Sequence, residues 1–321
     1  MVARRAFCAA LVALPLCALA QRRLWRIGYH SGGSAESNAG WLDAFRKGMA
    51  EFGWSEVNDY VIDARFADGD DAASIRIANE LVGTKPDVIL TTAEGSILPL
   101  TSVTKTIPIV FANAADPVGN GYAVSLQRPG RNVTGITALT PDLAAKRLQL
   151  LKEAVPQMQR VVVLFEPLDA AAVSQVKSYE AAAQRAKVHL SPVQVRQVSD
   201  IDVAFKAAEP APDAYVVVSG RFLNVHRRTV VERLLKTRVP AISSNVIWAE
   251  AGLLMTYAPS TPANFRRAAT YVDKILKGAK PSELAIEQPT AFELTINART
   301  ARALGLAIPQ SLRLRADRMI E

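Results

Sequence analysis

Short apolar runs alternate with amphipathic stretches along most of this chain. The runs at 88–91 and 161–165 are rich in β-branched and other apolar residues and predict strands. The stretch 41–52 repeats its apolar residues at the spacing of one helix face and is closed by Gly53. The strand-like runs are continuous instead of alternating, which is typical of parallel strands covered on both faces. The pattern predicts an α/β fold.

The α/β pattern occurs twice. Pro86 and Asp87 stand before one apolar run, and Pro108 stands before the next. Pro212 and Pro240 stand before two apolar runs of the second half in the same way. Two similar α/β halves leave a cleft between them, where small ligands bind. We therefore predict two doubly wound, Rossmann-like lobes with parallel sheets.

Several individual elements follow from the same pattern. The helix predicted over 72–82 turns four apolar residues inward: Ile75, Ala78, Leu81 and Val82. One continuous helix is predicted over 224–237, and another opens at Pro141, because proline is favoured in the first helical turn. A strand is predicted over 289–297.

The first twenty residues have the pattern of a secretory signal peptide. Arg4 and Arg5 precede an apolar run over 6–20 that ends in Ala-Leu-Ala, which predicts cleavage after Ala20. The run is shorter than the roughly 20 residues that span a membrane as a helix. We expect a released periplasmic protein, exported by the general secretion route.

Cysteine usage and charge exclude several classes of function. Both cysteines, Cys8 and Cys17, lie in the predicted signal peptide, so no disulfide and no thiolate metal site is expected in the mature chain. The formal charge is +8, and the basic residues are spread along the chain with only 7% aromatic residues, which argues against a nucleic-acid-binding surface. The net charge alone therefore identifies neither a binding partner nor the fold.

The motifs of common enzyme classes are absent from the sequence. No G-x-G-x-x-G follows the first predicted strand, and there is no P-loop and no G-x-S-x-G elbow. His30, His189 and His226 are far apart in sequence and lack the spacing of metal ligands, so each is interpreted as a surface or supporting residue. We expect no cofactor, no metal and no catalytic site.

Candidate binding residues lie in the loops that follow the predicted parallel strands. Glycine and serine let a ligand approach the backbone, and the N–H groups that begin the next helix favour a carboxylate; turn formation alone is the alternative for any one loop. The first-half candidates are Ser31, Gly32, Glu94, Gly95, Ser96, Asn113 and Asp116, and the second-half candidates are Glu166, Asp169, Ser219, Arg221 and Asn245.

Charge assigns chemistry to some of these candidates. The acidic residues would accept a cationic or amine group, and Arg221 would bind a carboxylate. Phe222 and Trp248 would either stack on a flat ligand or pack in the core. Glu166 with Asp169 could instead be an acid/base pair of a hydrolase.

Several motifs resemble the family of ABC-transporter substrate-binding proteins related to the tryptophan-binding type. They include Asp-Pro-Val-Gly at 116–119, Arg-Pro-Gly-Arg-Asn-Val-Thr-Gly at 128–135 and Tyr-Val-Asp-Lys-Ile-Leu-Lys-Gly at 271–278. Asp116 keeps the family's Asp-Pro pattern. Three other loops depart from the family, at 93–95, 166–170 and 219–221. The similarity extends over the whole mature chain.

The resemblance implies a type I periplasmic-binding fold, with two α/β lobes joined by three hinge crossings. It places 21–137 with 258–290 in the N-terminal lobe and 138–257 with 291–321 in the C-terminal lobe, with hinges near 136–140, 257–260 and 288–292. It implies a monomeric binding component that captures a small polar or amino-acid-like ligand without catalysis and delivers it to a membrane permease. The alternatives are a periplasmic ligand sensor for a membrane receptor and an exported hydrolase on the same scaffold.

Overall fold

The computed structural model describes residues 23–92, 94–114, 116–138, 143–206 and 211–321. The predicted signal peptide and the helix start at Pro141 lie outside these residues. The strands are β1 (Trp25–Ser31), β2 (Tyr60–Phe66), β3 (Val88–Thr91), β4 (Ile109–Ala114), β5 (Val133–Thr137), β6 (Arg160–Phe165), β7 (His189–Gln194), β8 (Ala214–Val217), β9 (Ala241–Ser243), β10 (Met255–Pro259), β11 (Phe292–Asn297) and β12 (Arg318–Ile320). The helices are α1 (Ala35–Glu51), α2 (Asp71–Gly83), α3 (Glu94–Val103), α4 (Leu143–Ala154), α5 (Ala170–Ala186), α6 (Val198–Lys206), α7 (Arg221–Val225), α8 (Arg227–Thr237), α9 (Val246–Glu250), α10 (Thr261–Leu276), α11 (Ala298–Ala303) and α12 (Gln310–Arg315).

The strands form two sheets. One has the order β2-β1-β3-β4-β5 and is parallel throughout. The other has the order β12-β11-β10-β9-β8-β6-β7 and is parallel except where β10 pairs with β11. Because each sheet reverses its strand order beside its first strand, each is doubly wound. The predicted α/β fold with two parallel-sheet lobes is confirmed.

The chain passes between the sheets at their carboxyl edges. β5 leads from the first sheet to α4, and β10 leads from the second sheet back to α10, which packs on the first. The segment before β11 then returns to the second sheet at this same edge, so β11 has to run antiparallel to β10. This geometric requirement explains the mixed sheet, which the apolar runs alone did not indicate.

The three crossing segments are hydrogen-bonded to one another. The backbone of Glu287 is paired with the first crossing, because Thr137 N donates to Glu287 O at 2.9 Å and Glu287 N donates to Gly135 O at 3.0 Å. Ser260 N of the second crossing donates to Ala291 O at 2.9 Å. The third crossing therefore lies between the other two, and together they form one ribbon of backbone.

Helix α10 completes the core of the first lobe although it lies far along the chain. Its buried residues Phe265 and Val272 join the apolar cluster that contains Phe45 of α1 and strands β1, β3 and β4. The two helices touch at Gly48, where a Cβ atom would lie 2.4 Å from Arg266 O and 2.8 Å from Ala269 Cβ. Only glycine permits this approach of the two backbones.

Three element predictions differ from the structure. Ala78 and Leu81 of α2 are buried as predicted, but Ile75 is 54% exposed and Ser74, at 2% exposure, takes its place on the inward face. The helix predicted over 224–237 is interrupted at His226, whose backbone (φ −91°, ψ 15°) leaves the helical conformation. The strand predicted over 289–297 begins only at Phe292.

We expect Gly48→Ala to lower the free energy of unfolding by about 1–3 kcal/mol, since the added methyl group overpacks the contact between α1 and α10. Urea denaturation followed by circular dichroism measures the change. The matched control is Gly40→Ala in the same helix, where a Cβ meets nothing within 4 Å. That control should stabilise the protein by about 0.5–1 kcal/mol through helix propensity. Equal effects of the two changes would contradict the close contact.

Candidate functional site

Six loops lie at the carboxyl edges of the two sheets. They follow β1, β3 and β4 in the first sheet and β6, β8 and β9 in the second. Because all three crossings join these same edges, the two sets of loops stand on either side of one hinge region. Crevices outside the carboxyl ends of doubly wound sheets are the usual ligand sites of this architecture.

The loops after β1 and β3 are joined by side-chain hydrogen bonds. Gly32 N donates to Ser96 Oγ at 3.1 Å, and Gly33 N donates to Ser31 Oγ at 3.1 Å. Ser31 and Ser96 are both 1% exposed, whereas Gly95 is exposed. The structure thus brings Ser31, Gly32, Gly95 and Ser96 together at the start of α3.

A buried histidine supports this loop from below. Ser74 Oγ donates to Gly95 O at 2.7 Å and lies 3.1 Å from His30 Nε2. A hydroxyl has one proton, and a carbonyl oxygen only accepts, so His30 Nε2 carries the hydrogen and donates to Ser74. His30 Nδ1 is then a buried acceptor without a partner among the described residues. Burial lowers the pKa of His30 to about 4, so the ring is neutral at pH 7.

The sequence leaves His30 open between a surface and a supporting residue. The structure places its side chain at 0% exposure beneath the candidate loops, which excludes the surface alternative. Ser74 is not among the residues of α2 that the sequence predicts to face inward. The position of His30 could have indicated this role. It lies near the end of β1, the strand beside which the strand order of the sheet reverses.

Asn113 was expected in the loop after β4 but lies in the strand itself, and Asp116 follows the strand. Asn113 Nδ2 donates to Thr261 Oγ1 at 3.0 Å, and its Oδ1 accepts from Asn264 Nδ2 at 2.7 Å, which links the end of β4 to α10. Asp116 Oδ1 accepts from Gly119 N at 2.8 Å. A Cβ at Gly119 would lie 2.1 Å from Asp116 Oδ2, so this turn explains the spacing of the Asp-Pro-Val-Gly motif.

The acidic candidates of the second lobe lie at helix starts. Glu166 Oε1 accepts from Leu223 N at 2.7 Å, which joins the loop after β6 to α7. A Cβ at Gly220 would lie 2.4 Å from Glu166 Oε1, so glycine is required there. Asp169 Oδ1 accepts from Ala172 N at 3.1 Å in the first turn of α5. Backbone N–H groups at a helix start stabilise a carboxylate in both cases.

The side chains of Ser219, Asn224 and Trp248 form a third hydrogen-bonded group, and Asn245 begins the helix that contains Trp248. Ser219 Oγ donates to Asn224 Oδ1 at 2.8 Å, and Trp248 Nε1 donates to the same oxygen at 2.9 Å. Asn245 Oδ1 accepts from Ile247 N at 3.2 Å and caps α9. Trp248 is 0% exposed and packs in the core, and the sequence gave no sign of Asn224.

Two of the charged candidates stand at the first residues of helices. Glu94 begins α3 and Arg221 begins α7, but their side chains lie outside the described part of the chain. A cavity of about 350 Å³ lies away from the six loops, beside the start of β1 and the ends of α1 and α10; its lining residues are Arg23, Trp25, Phe52, Gly53, Trp54, Asp59 and Lys277. Among the described residues, no group of three His, Cys, Asp or Glu side chains is placed to hold a metal ion.

Two α/β lobes on a three-stranded hinge ribbon, with polar loops facing the hinge, define a protein of the bilobal ligand-binding class. Residues 34–320 match the family described as ABC transporter substrate binding protein. The chain belongs to this family, so the resemblance of its motifs is confirmed. Among the residues that the structure covers, none of the helices combines the length and apolarity needed to cross a membrane.

Relatives of known name and structure agree with this assignment. A tyrosine-binding protein of Clostridioides difficile is 23% identical over 264 residues, which cover 82% of this chain and 75% of the relative. The ABC domain from Streptococcus pneumoniae in complex with L-Trp is 24% identical, with a TM-score of 0.78 over 93% of this chain and 100% of that one. A ligand-free, open substrate-binding protein with adhesive properties from Clostridium difficile is 20% identical, with a TM-score of 0.75 over 92% and 99% of the two chains. These structures share the fold of this chain.

We expect His30 to make the protein less stable as the pH falls from about 7 to 4. The folded-state pKa of about 4 lies below the ordinary value of 6.5, so the unfolded chain binds the proton first and acidification favours unfolding. The loss from this group amounts to about 3 kcal/mol.

Urea denaturation at several pH values, with wild type and His30→Gln, measures this contribution. The glutamine amide can still donate to Ser74 but does not titrate, so the variant should lose less stability over the interval. Subtracting the variant's unfolding free energy from that of wild type at each pH removes the contributions of the other titrating groups. Parallel pH profiles would contradict a buried neutral His30.

Proposed function

We propose that this protein is the periplasmic binding component of an ABC uptake system, which captures a small polar or amino-acid-like ligand between its lobes without catalysis. The observation that carries the proposal is the position of both sets of polar loops at the hinge edge, in a chain of the substrate-binding family. Relatives named for tyrosine and solved with L-Trp make amino acids the first candidates. Delivery to a membrane permease and export after cleavage behind Ala20 belong to the same proposal.

The proposed site contains the twelve candidate residues of the six loops. Among the described residues, Asp116 accepts from Gly119 N and Glu166 from Leu223 N, and a carboxylate has about four acceptor positions, so each can also accept from a ligand ammonium. Arg221 is proposed to bind the ligand carboxylate. We assign 21–137 with 258–290 to one lobe and 138–257 with 291–321 to the other, and propose that the protein acts as a monomer.

Closure of the lobes would follow from binding. A ligand that contacts loops of both lobes has more contacts in the closed state, and this differential affinity shifts the population toward it. The hinge segments are proposed near 136–140, 257–260 and 288–292, which overlap the hydrogen-bonded ribbon at Thr137, Ser260 and Ala291.

We expect at least one amino acid to raise the unfolding temperature of the purified mature protein. At one hundred times Kd, a ligand that binds only the folded state stabilises it by about 2.7 kcal/mol. A thermal-shift screen of amino acids, amines, sugars and nucleosides measures the effect.

The stabilising compound should be recovered unchanged by chromatography after prolonged incubation. Its conversion to a product would favour the hydrolase alternative. A screen in which no compound shifts the transition would contradict a solute-binding role.

We expect Glu166→Gln to weaken an amine-bearing ligand about 10-fold or more, because a charged hydrogen bond contributes about 1.5–3 kcal/mol. The variant keeps an oxygen that accepts from Leu223 N, so its unfolding temperature should change little. Glu166→Ala removes that acceptor as well and should also lower stability by about 1 kcal/mol. Isothermal calorimetry gives the affinities, and equal affinity of Glu166→Gln and wild type would remove Glu166 from the site.

A further inference from the structure

Asn224 is a half-buried residue of α7 whose amide has one side fully occupied. Its Oδ1 accepts two hydrogen bonds, from Ser219 Oγ at 2.8 Å and from Trp248 Nε1 at 2.9 Å. Its Nδ2 donates to no group in the part of the chain that the structure describes. The oxygen therefore serves the protein, while the two N–H groups do not.

The orientation of this amide is fixed by Trp248. An indole N–H can only donate, so the Asn224 atom that faces it has to be the oxygen, and rotation of the amide by 180° would place two donors against each other. Trp248 is 0% exposed and packed in the core, so the position of its N–H is fixed too. Asn224 is consequently a preorganised donor and has no acceptor left to offer.

Asn224 also lies at the switch point of the second sheet. It follows the loop after β8, and the adjacent Leu223 N donates to Glu166 Oε1 in the loop after β6, at 2.7 Å. Strands β6 and β8 are neighbours, with β7 on the outer side of β6, so the strand order reverses between these loops. Ligands of doubly wound sheets bind at such points.

We propose that Asn224 determines specificity by donating its Nδ2 hydrogens to a carboxylate oxygen of the ligand. The inference rests on the proposed solute-binding function and deepens it. A donor with its oxygen locked favours acceptor groups of the ligand and disfavours an ammonium or hydroxyl donor at the same place. The ligand class is therefore a compound with a free carboxylate, such as an amino acid, in preference to the corresponding decarboxylated amine.

Asn224→Asp separates this role from structural support. The new carboxylate keeps an oxygen for Ser219 and Trp248 but replaces the N–H donors by an acceptor. Affinity for L-tyrosine should fall about 10- to 100-fold, as expected for a lost hydrogen bond to a charged group. Affinity for tyramine, which lacks the carboxylate, should be unchanged or higher.

Two further variants serve as controls. Asn79→Asp adds the same charge on the exposed face of α2 and should leave both affinities unchanged. Asn224→Ala removes the amide donors without adding charge next to Glu166, and should weaken L-tyrosine but not tyramine. It also decides the question if Asn224→Asp does not fold, which circular dichroism would reveal. If wild type prefers another amino acid in the thermal screen, that amino acid and its own decarboxylated amine replace the pair.

Three outcomes overturn the inference. L-tyrosine affinity equal to that of wild type in a folded Asn224 variant would show that the amide does not touch the carboxylate. An equal loss for L-tyrosine and tyramine would assign Asn224 a purely structural role. A wild-type protein that no amino acid stabilises would contradict the proposed function and, with it, this inference.

Discussion

The close packing of α10 against α1 is the contact on which the first lobe depends. The two helices meet at Gly48, where Arg266 O and Ala269 leave no room for a side chain. This contact closes the core over strands β1, β3 and β4 with residues from late in the sequence. The chain therefore has to cross the hinge and return before the first lobe is complete. Through Asn264 and Thr261, the same helix also holds Asn113 near the end of β4.

The sequence predicts the sheets well because strands buried on both faces need continuous apolar runs. It also places the loops, since the carboxyl end of each parallel strand is known once the strand is known. It fails at Ile75, where the apolar pattern of α2 suits either of two adjacent faces. The structure turns Ser74 inward because its hydroxyl bonds to Gly95 O and His30, which lie 21 and 44 positions away. Such polar partners leave no periodic trace in a single sequence.

In each lobe, side-chain hydrogen bonds connect neighbouring loops. Ser96 joins the loops after β1 and β3, and Glu166 joins the loop after β6 to α7. Asn224 accepts hydrogen bonds from Ser219 and Trp248 and so connects the loop after β8 to α9. The sequence did not predict this role, because an asparagine within a helical segment resembles an ordinary surface residue. Loops ordered in advance lose less conformational entropy when a ligand binds, so more of the contact free energy appears as affinity.

The three crossings form one hydrogen-bonded ribbon, with the segment around Glu287 and Ala291 between the other two. Backbone hydrogen bonds keep adjacent strands in register, so the crossings resist sliding along their length. They resist bending and twisting far less, because those motions divide small changes in φ and ψ among many residues. We therefore expect the proposed closure to be a rotation of the lobes about the ribbon and not a sliding of one lobe past the other.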